Sequence, residues 1–489
     1  MEMSRSGGNA RIHRGAWTRQ SLSVLPNYLQ RAMYILVIPT VRGLLYALMS
    51  DFESWLRTAW MDLVSLGVLL LVALFRWWFS RYSLVNGALC FRQGFLLQND
   101  TVILRDHVTS VEEERSWWMR LCRATRLTVR SRGASVTLYV HIRRAATLRE
   151  LLGCGRQQNA RLYRPGIAHL GLYALLNSDS LGGVIFAGVL ISRFGSILGR
   201  EVREEFVGAL TRLLHLVAYG VPGAMFTAAL LLLAVWAFSF ARTVVENAAT
   251  ELRYTPDRIT LTSGSVVRRR RTVVTESISA VEVRRTLPGL LFGIGTAYMD
   301  APGLRSERER VLMLSARSKS LDLALFRLLP DLRPARLAVR PFRSGWFPYV
   351  WMYGAALLVL IPLPFVLGPL FPFWSPMIRL VSWMGCIPAL WLLALSFLGF
   401  RRSGVGLEDG RLTIVHPFLG SVRRVTVPLR DVRMVEVRRF CDIGRGCGLV
   451  FWIGQEKLRR IALGAMPHKE SLRFVEELER QGANVVKRG

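Results

Sequence analysis

Lysine is nearly missing from this 489-residue chain. Only Lys319, Lys457, Lys469 and Lys487 occur, so the cationic charge is almost all arginine. Acid is scarce as well: 34 aspartates and glutamates face 65 lysines and arginines, leaving a net charge of +31. The cysteines are Cys90, Cys122, Cys154, Cys386, Cys441 and Cys447, and no CxxC pair occurs among them. A zinc site is therefore not expected, and buried reduced thiols are. Seven histidines are scattered without an HxxxH or HExxH spacing. The chain has no G-x-x-x-x-G-K-[ST] and no G-x-S-x-G, which removes a P-loop and a nucleophile elbow. Gly293-Ile-Gly295 lacks the third glycine of a dinucleotide fingerprint and reads as a strand turn. Glu112-Glu113-Glu114 are neighbours on a strand and need not converge on one point. The expectation is a protein that is not an enzyme and holds no cofactor and no metal.

What is present is an unusual pairing. The chain is 51% hydrophobic with a mean hydropathy of +0.30, yet its pI is near 11.2. Apolar content argues against a disordered basic tail, and the charge argues against a plain transporter. Segregation reconciles the two, with apolar membrane segments alternating with arginine-rich soluble stretches. The first residues are polar and carry Arg5, Arg11, Arg14, Arg19 and Arg31, too long and too charged for a cleaved signal peptide. A span takes about 20 apolar residues. Candidates fall in pairs near 33–50 and 60–79, 168–193 and 214–240, and 347–370 and 377–400. The segments near 33–50 and 168–193 are the weak ones. Arg42 interrupts the first, and Asn177 to Ser180 interrupt the other. Loops within a pair carry little net charge, whereas the stretches between pairs hold nearly all the arginine. The positive-inside rule then puts both termini and the inter-pair stretches in the cytoplasm.

The soluble stretches repeat. Arg81-Tyr82 and Arg253-Tyr254 follow the first two pairs. Short β-type runs come next: Ala88–Phe91, Ile259–Thr262 and Leu412–Val415. Gly94 and Gly264 punctuate two of them, twelve residues before Asp106 and Glu276. A valine-glutamate step recurs as Val111-Glu112, Val281-Glu282 and Val435-Glu436. Each stretch ends in a helical pattern, through Leu148, Leu151 and Leu152, through Leu321, Leu325, Leu328 and Leu329, and through Leu472, Val475 and Leu478. Several short antiparallel strands closed by one amphipathic helix suit a small twisted sheet or barrel.

This pattern resembles the bacterial PH-like, membrane-flanked domain family. The middle copy carries the likeness best, through Glu276-Ser-Ile-Ser-Ala-Val-Glu282 and Gly289-Leu-Leu-Phe-Gly-Ile-Gly295. The first copy departs with Trp117-Trp118 and Leu121-Cys122 at the glycine-rich turn, and the third lacks the Arg-Tyr start. Three such domains, each after a hairpin, resemble the YdbT-like membrane proteins. The resemblance implies an α+β membrane protein. Three transmembrane hairpins, about six helices, alternate with three antiparallel PH-like domains that each close with a C-terminal helix. The expected boundaries are a cytoplasmic tail at 1–33, hairpins at 34–79, 168–240 and 346–400, and PH-like domains at 80–155, 241–332 and 401–482. It transfers no catalytic residue. It implies a place in the bacterial inner membrane and a role in envelope maintenance or resistance to membrane-active agents.

Basic clusters are the sharpest local feature: Arg268-Arg269-Arg270-Arg271, Arg284-Arg285, Arg423-Arg424 and Arg438-Arg439. Anionic lipid attracts such residues by about 1 kcal/mol each near a surface. They are the candidate lipid contacts, against the plainer reading of topology signals and solvated strand faces. The expected partners are the bilayer, anionic lipids and an unidentified protein, another PH-like membrane protein being one option. Nucleic acid is not expected, because tethering and the lack of interleaved aromatics argue against it. Arg42 and Asp179 are the candidate intramembrane polar residues. An interaction or lipid-contacting scaffold is the leading function. A transport or lipid-handling component with a path between the hairpins is the alternative.

Overall fold

The computed structural model describes residues 17–28, 52–177 and 223–488, apart from short breaks at 86, 95–97, 156–159, 305, 419, 440–445, 456–457 and 484. Arg42 and Asp179 lie outside the described residues. The chain divides into two compact units, taken here in turn. The first comprises Met1–Arg161, Asn177–Thr255 and Thr260–Thr272, and the second Leu162–Leu176, Pro256–Ile259 and Val273–Gly489.

In the first unit, β1 (Thr18–Arg19), β2 (Arg81–Val85), β3 (Ala88–Gln93) and β4 (Asn99–Leu104) form one sheet in that order. β5 (Val108–Arg115), β6 (Ala124–Ser131) and β7 (Ser135–His141) follow in the chain as an antiparallel meander. Period-2 alternation decides the faces. Leu127 and Val129 turn into the core, while Arg126 and Arg130 turn out. Tyr82, Leu89 and Ile103 meet Val111, Leu127, Val129 and Leu138 in one cluster. The helix Ile142–Leu151 closes it with Ala145 and Leu148, and Leu152 follows. Leu151, counted by sequence on the same stripe, is exposed instead.

Residues 18–24, assigned by sequence to the tail, are part of this sandwich. β1 pairs with β2, Ser21 donates to the Tyr139 carbonyl at 2.7 Å, and the Gln20 side chain accepts from the Tyr139 amide at 3.1 Å. The Trp77 indole donates to the Gln20 carbonyl at 2.9 Å, which ties the end of the helix Phe52–Trp78 to the sheet. That helix already includes Glu53 and Arg57, read from sequence as a loop.

After the short β8 (Arg161–Tyr163), β9 (Glu251–Thr255), β10 (Arg258–Ser263) and β11 (Arg268–Val274) open the second copy. They do not form a separate sheet: the order runs β7-β6-β5-β11-β10-β9. The bend before β11 needs Gly264, whose φ is +92° and where a Cβ would lie 2.0 Å from the Val267 carbonyl oxygen.

In the second unit, the rest of the second copy is β12 (Ala280–Arg285), β13 (Ile294–Asp300), β14 (Val311–Arg317) and the helix Ser318–Leu328. β15 (Gly404–Glu408), β16 (Arg411–Phe418) and β17 (Ser421–Pro428) join it, giving the order β14-β13-β12-β17-β16-β15. A further sheet runs β20-β19-β18-β21, from β18 (Val432–Arg439), β19 (Gly446–Ile453), β20 (Arg459–Pro467) and a C-terminal strand β21 (Val485–Arg488). Leu412, Ile414, Val425 and Val427 face Val435, Leu449, Phe451 and Ile461 across this core. The helix His468–Arg480 closes it with Ser471, Phe474, Val475 and Leu478, spaced i, i+3, i+4 and i+7.

Among the described residues, two helical stretches are long and apolar enough to cross a membrane, Phe347–Leu370 and Gly385–Arg402, and Gly67–Trp78 is a shorter apolar helix. Of the remaining candidates, 33–50, 178–193 and 214–222 lie outside the described residues. Residues 168–177 are described. Their helix, Ile167–Asn177, packs Leu170 and Tyr173 on Tyr298, Val311 and Leu314 of β13 and β14. Aromatic body and amphipathic spacing, invisible to mean hydropathy, put these residues against a sheet. The third hairpin is well formed: Leu357 and Leu360 pack on Cys386, Ala389 and Leu393. Trp351, Leu358, Val359, Phe365, Trp383 and Ile387 point outward, an apolar exterior far beyond what a water-facing helix pair carries.

The Tyr349 hydroxyl braces this hairpin on the third copy, donating to the Gly464 carbonyl at 2.8 Å and accepting from its amide at 3.1 Å. Tyr349→Phe leaves both backbone groups without that partner. The expected cost is about 1–3 kcal/mol, seen as a lower melting temperature in detergent. An unchanged melt would show that the hairpin does not brace the sheet.

Candidate functional site

The repeated valine-glutamate step sits where one copy joins the next. β5 of the first copy hydrogen-bonds β11 of the second, and β12 of the second pairs antiparallel with β17 of the third. Each seam is a continuous main-chain ladder with a buried carboxylate at its centre.

In the first seam, Glu112 receives Arg271 at 2.9 Å and Arg130 at 3.1 Å, and Glu114 receives Arg269 and Arg126, each at 3.3 Å. Alternation sends Glu113 to the opposite face, where Arg115 and Arg149 bind it. Burial opposes the Glu112 charge, but Arg271 and Arg130 outweigh it and hold the carboxyl below its ordinary value.

In the second seam, Glu282 is the hub. Arg459 donates at 2.6 Å, Arg284 at 2.7 Å, Arg423 at 3.3 Å and Arg310 at 3.4 Å. Burial raises the Glu282 carboxyl, yet Arg459, Arg284 and Arg423 together hold it down at about 2. Burial lowers the Arg423 guanidinium to about 10, partly offset by Glu282. His416, in the strand beside it, is driven by burial and by Arg459 down to about 3. β18 carries the third such carboxylate, Glu436, with Arg438 at 3.1 Å, and its edge is taken by β21 in parallel register.

The candidate arginines therefore have different fates. Arg268 is exposed, whereas Arg269 and Arg271 face the Glu114 and Glu112 carboxylates. Arg270 takes the other face, where burial and then Arg149 lower its pKa. Arg284 and Arg423 enter the Glu282 hub. Arg285 turns away toward Ser318, and Arg424 pairs with Asp322. Arg438 is half exposed beside Glu436, and Arg439 ends β18. Sequence reasoning used the glutamates only as repeat markers. The available signal was a lone carboxylate in an apolar strand with arginine two residues on, as in Glu282-Val-Arg284 and Glu436-Val-Arg438.

Each seam also ends in an apolar tip at the end of an apolar helix. In the first unit, the short helix Trp117–Leu121 exposes Trp117 (63%) and Leu121 (77%), while Trp118 packs with Trp77. Arg120 donates to the carbonyls of Ser265 and Val266 at 2.8 and 2.9 Å, and the Ser265 amide bonds Val245 of the helix Gly223–Asn247. In the second unit, the helix Leu287–Phe292 exposes Leu291 (70%) and Phe292 (73%). Its Leu290 clusters with Leu398 and accepts from Arg402, both on the helix Ser375–Arg402. Phe418 of the neighbouring hairpin is exposed too, beneath the Arg423 guanidinium at 4.1 Å.

Two apolar-helix-plus-sandwich copies, joined edge to edge, define a β-sandwich repeat flanked by apolar helices. The bacterial PH domain family matches residues 34–154 and again 207–329. The chain is thus a bacterial PH-like domain protein that carries the domain twice by that match. The stretch from β15 to the helix His468–Arg480 repeats the same element order. No curated protein sequence matches the chain significantly.

Glu282→Gln would leave four arginines around a neutral amide, so a loss of about 3–5 kcal/mol is expected in denaturant unfolding. A change below about 1 kcal/mol would deny the hub its structural role. Acid should act in two stages. Neutral His416 loses its advantage as pH falls from 6.5 toward about 3, because the unfolded imidazole takes a proton first. The Glu282 contribution is present above 4.5 and is lost as pH falls toward about 2. His416→Gln should flatten the melting profile between pH 6.5 and 4.5 and leave the steeper fall below it.

Proposed function

We propose that this protein is a non-enzymatic integral protein of the bacterial inner membrane, a scaffold whose PH-like copies are held against the cytoplasmic face of the bilayer. In this reading the hairpins cross the membrane, both termini are cytoplasmic and the third sandwich is a third PH-like copy. The seams lock consecutive copies into sheets that move as one with the hairpins.

The observation that carries the reading is the coincidence of exposed apolar tips with helix ends. Trp117 and Leu121 on one seam, and Leu291, Phe292 and Phe418 on the other, lie where an apolar helix emerges, among arginines. Apolar residues flanked by arginine suit the headgroup boundary, where the side chains enter the acyl layer and the guanidiniums meet phosphate. The opposite end of the third sandwich, at Gln455, lies before the start of β20 at Arg459, five strand residues from the hairpin contact at Gly464.

A cysteine-free chain with one environment-sensitive label at position 292 or at 455, in nanodiscs, tests this. Lipids carrying a quencher just below the headgroup should quench the label at 292 and leave that at 455 unaffected. No quenching at 292, or equal quenching at both, would overturn the reading.

A further inference from the structure

With Glu112 aligned to Glu282, the two seams differ at Glu113 against Val283 and at Glu114 against Arg284, and a cavity lies beside the first of these positions. In the first seam Glu113 neutralises Arg115 and Arg149 on its face of the sheet. In the second seam the same face has Val283, and the arginines there surround open space. The cavity measures about 390 Å³ and is lined by Arg285, Arg340, Arg401, Arg402 and Arg424, together with Val283, Leu290, Leu337, Val415 and Val422.

None of the lining residues is a carboxylate. Asp322 pairs with Arg424, and five guanidiniums line the cavity. The electrostatic strain is felt at Arg285, whose pKa is lowered by burial and then by Arg424 and Arg402. A second cavity on the other face of this seam, about 600 Å³ beside Ser279, Asp300, Arg310 and Arg459, is different. There Arg310 is already bound to Asp300 at 2.7 Å, and Arg459 to Glu282.

Position adds to charge. Arg401 and Arg402 end the helix Ser375–Arg402, and Leu398 one turn earlier packs on Leu290 of the cavity wall. The cavity is therefore level with the end of a candidate span, with an apolar wall toward the helix and the exposed Leu291 and Phe292 beside it. Guanidinium groups bind phosphate bidentately and suit partly buried anions better than ammonium does.

We infer that this cavity is a binding site for the phosphorylated headgroup of an anionic membrane lipid, seated with its phosphate among Arg285, Arg402 and Arg424 and its acyl chains running down beside Leu290 and Leu398. The inference rests on the membrane-surface reading above and names its ligand class. In the first copy the site is filled from within by Glu113.

The test is lipid retention by the full chain, read by native mass spectrometry after transfer from nanodiscs containing phosphatidylglycerol and phosphatidic acid in phosphatidylcholine. Wild type should retain one anionic phospholipid per chain. Val283→Glu imports the carboxylate of the first seam and should abolish retention without lowering the melting temperature. Arg285→Gln with Arg402→Gln should weaken retention by about fivefold per arginine, and exposed Arg480→Gln should leave it unchanged. Arg340→Glu, at an exposed position on the rim, gives the same information if the inner variants do not fold. Retention unaffected by Val283→Glu and by Arg340→Glu overturns the site. Displacement of lipid by millimolar glycerol phosphate or inorganic phosphate, with no lipid retained at equal phosphate, would assign the cavity to a soluble phosphate and overturn the lipid source. Quenching of the label at position 292 should persist in all variants. Its persistence with lost specificity separates failure of this site from failure of the membrane-surface reading.

Discussion

The structure depends on one constraint, that an edge strand must be paired. An exposed strand offers a row of unsatisfied amide and carbonyl groups to anything that can add to it. Here each copy's β5-type strand is covered by the next copy's β11-type strand, and the last one, β18, is covered by the chain's own C-terminal strand. The consequence is that small sandwiches, marginal alone at this size, share sheets with their neighbours. Main-chain bonding sets the pairing, while the buried glutamate at each seam sets which side chains can lie opposite it.

Those carboxylates explain how a chain with so much positive charge can bury arginine. An uncompensated guanidinium in the interior is costly. Glu112, Glu113 and Glu114 in the first seam, and Glu282 in the second, each collect at least two arginines. The hub is chiefly a specificity device. A slip of one residue in the β12–β17 register would turn Glu282 onto the opposite face and separate it from Arg423 and Arg459. Where the pattern lapses, at Val283, Arg285 turns to Ser318 and Arg424 to Asp322 beside the cavity proposed for an external anion.

The apolar helices are joined to the sheets by the same elements. The hairpin of the third copy is not a loose anchor, because Tyr349 bonds Gly464, and a Cβ at Gly399 would fall 2.7 Å from Pro417 and 2.9 Å from Val422. In the first unit, Trp77 and the Gln20 segment make the equivalent connection. Under the proposed membrane-surface reading, sheets fixed in this way to helix ends present one edge to the bilayer, as a surface scaffold requires.

Much was legible in the sequence. The β-type runs Ala88–Phe91, Ile259–Thr262 and Leu412–Val415 are strands, because alternating apolar residues at period 2 have few other stable homes. The middle closing helix buries the leucines its spacing implied, whereas Leu151 of the first is exposed and Leu472 of the third is not among the buried residues; the recurring glutamate marked equivalent positions. Hydropathy located the third hairpin, while Ile167–Asn177, at the start of the weak candidate 168–193, packs Leu170 and Tyr173 on a sheet. The sequence by itself determined the repeat, the element types and the excess of arginine. Only the tertiary structure decided what each arginine does. Arg284 and Arg285 are neighbours in the chain, yet one is buried against Glu282 and the other lines an open cavity. Adjacent strand residues point to opposite faces, and residues more than a hundred positions away meet them there, Arg423 and Arg459 at the Glu282 hub and Arg402 and Arg424 at the cavity.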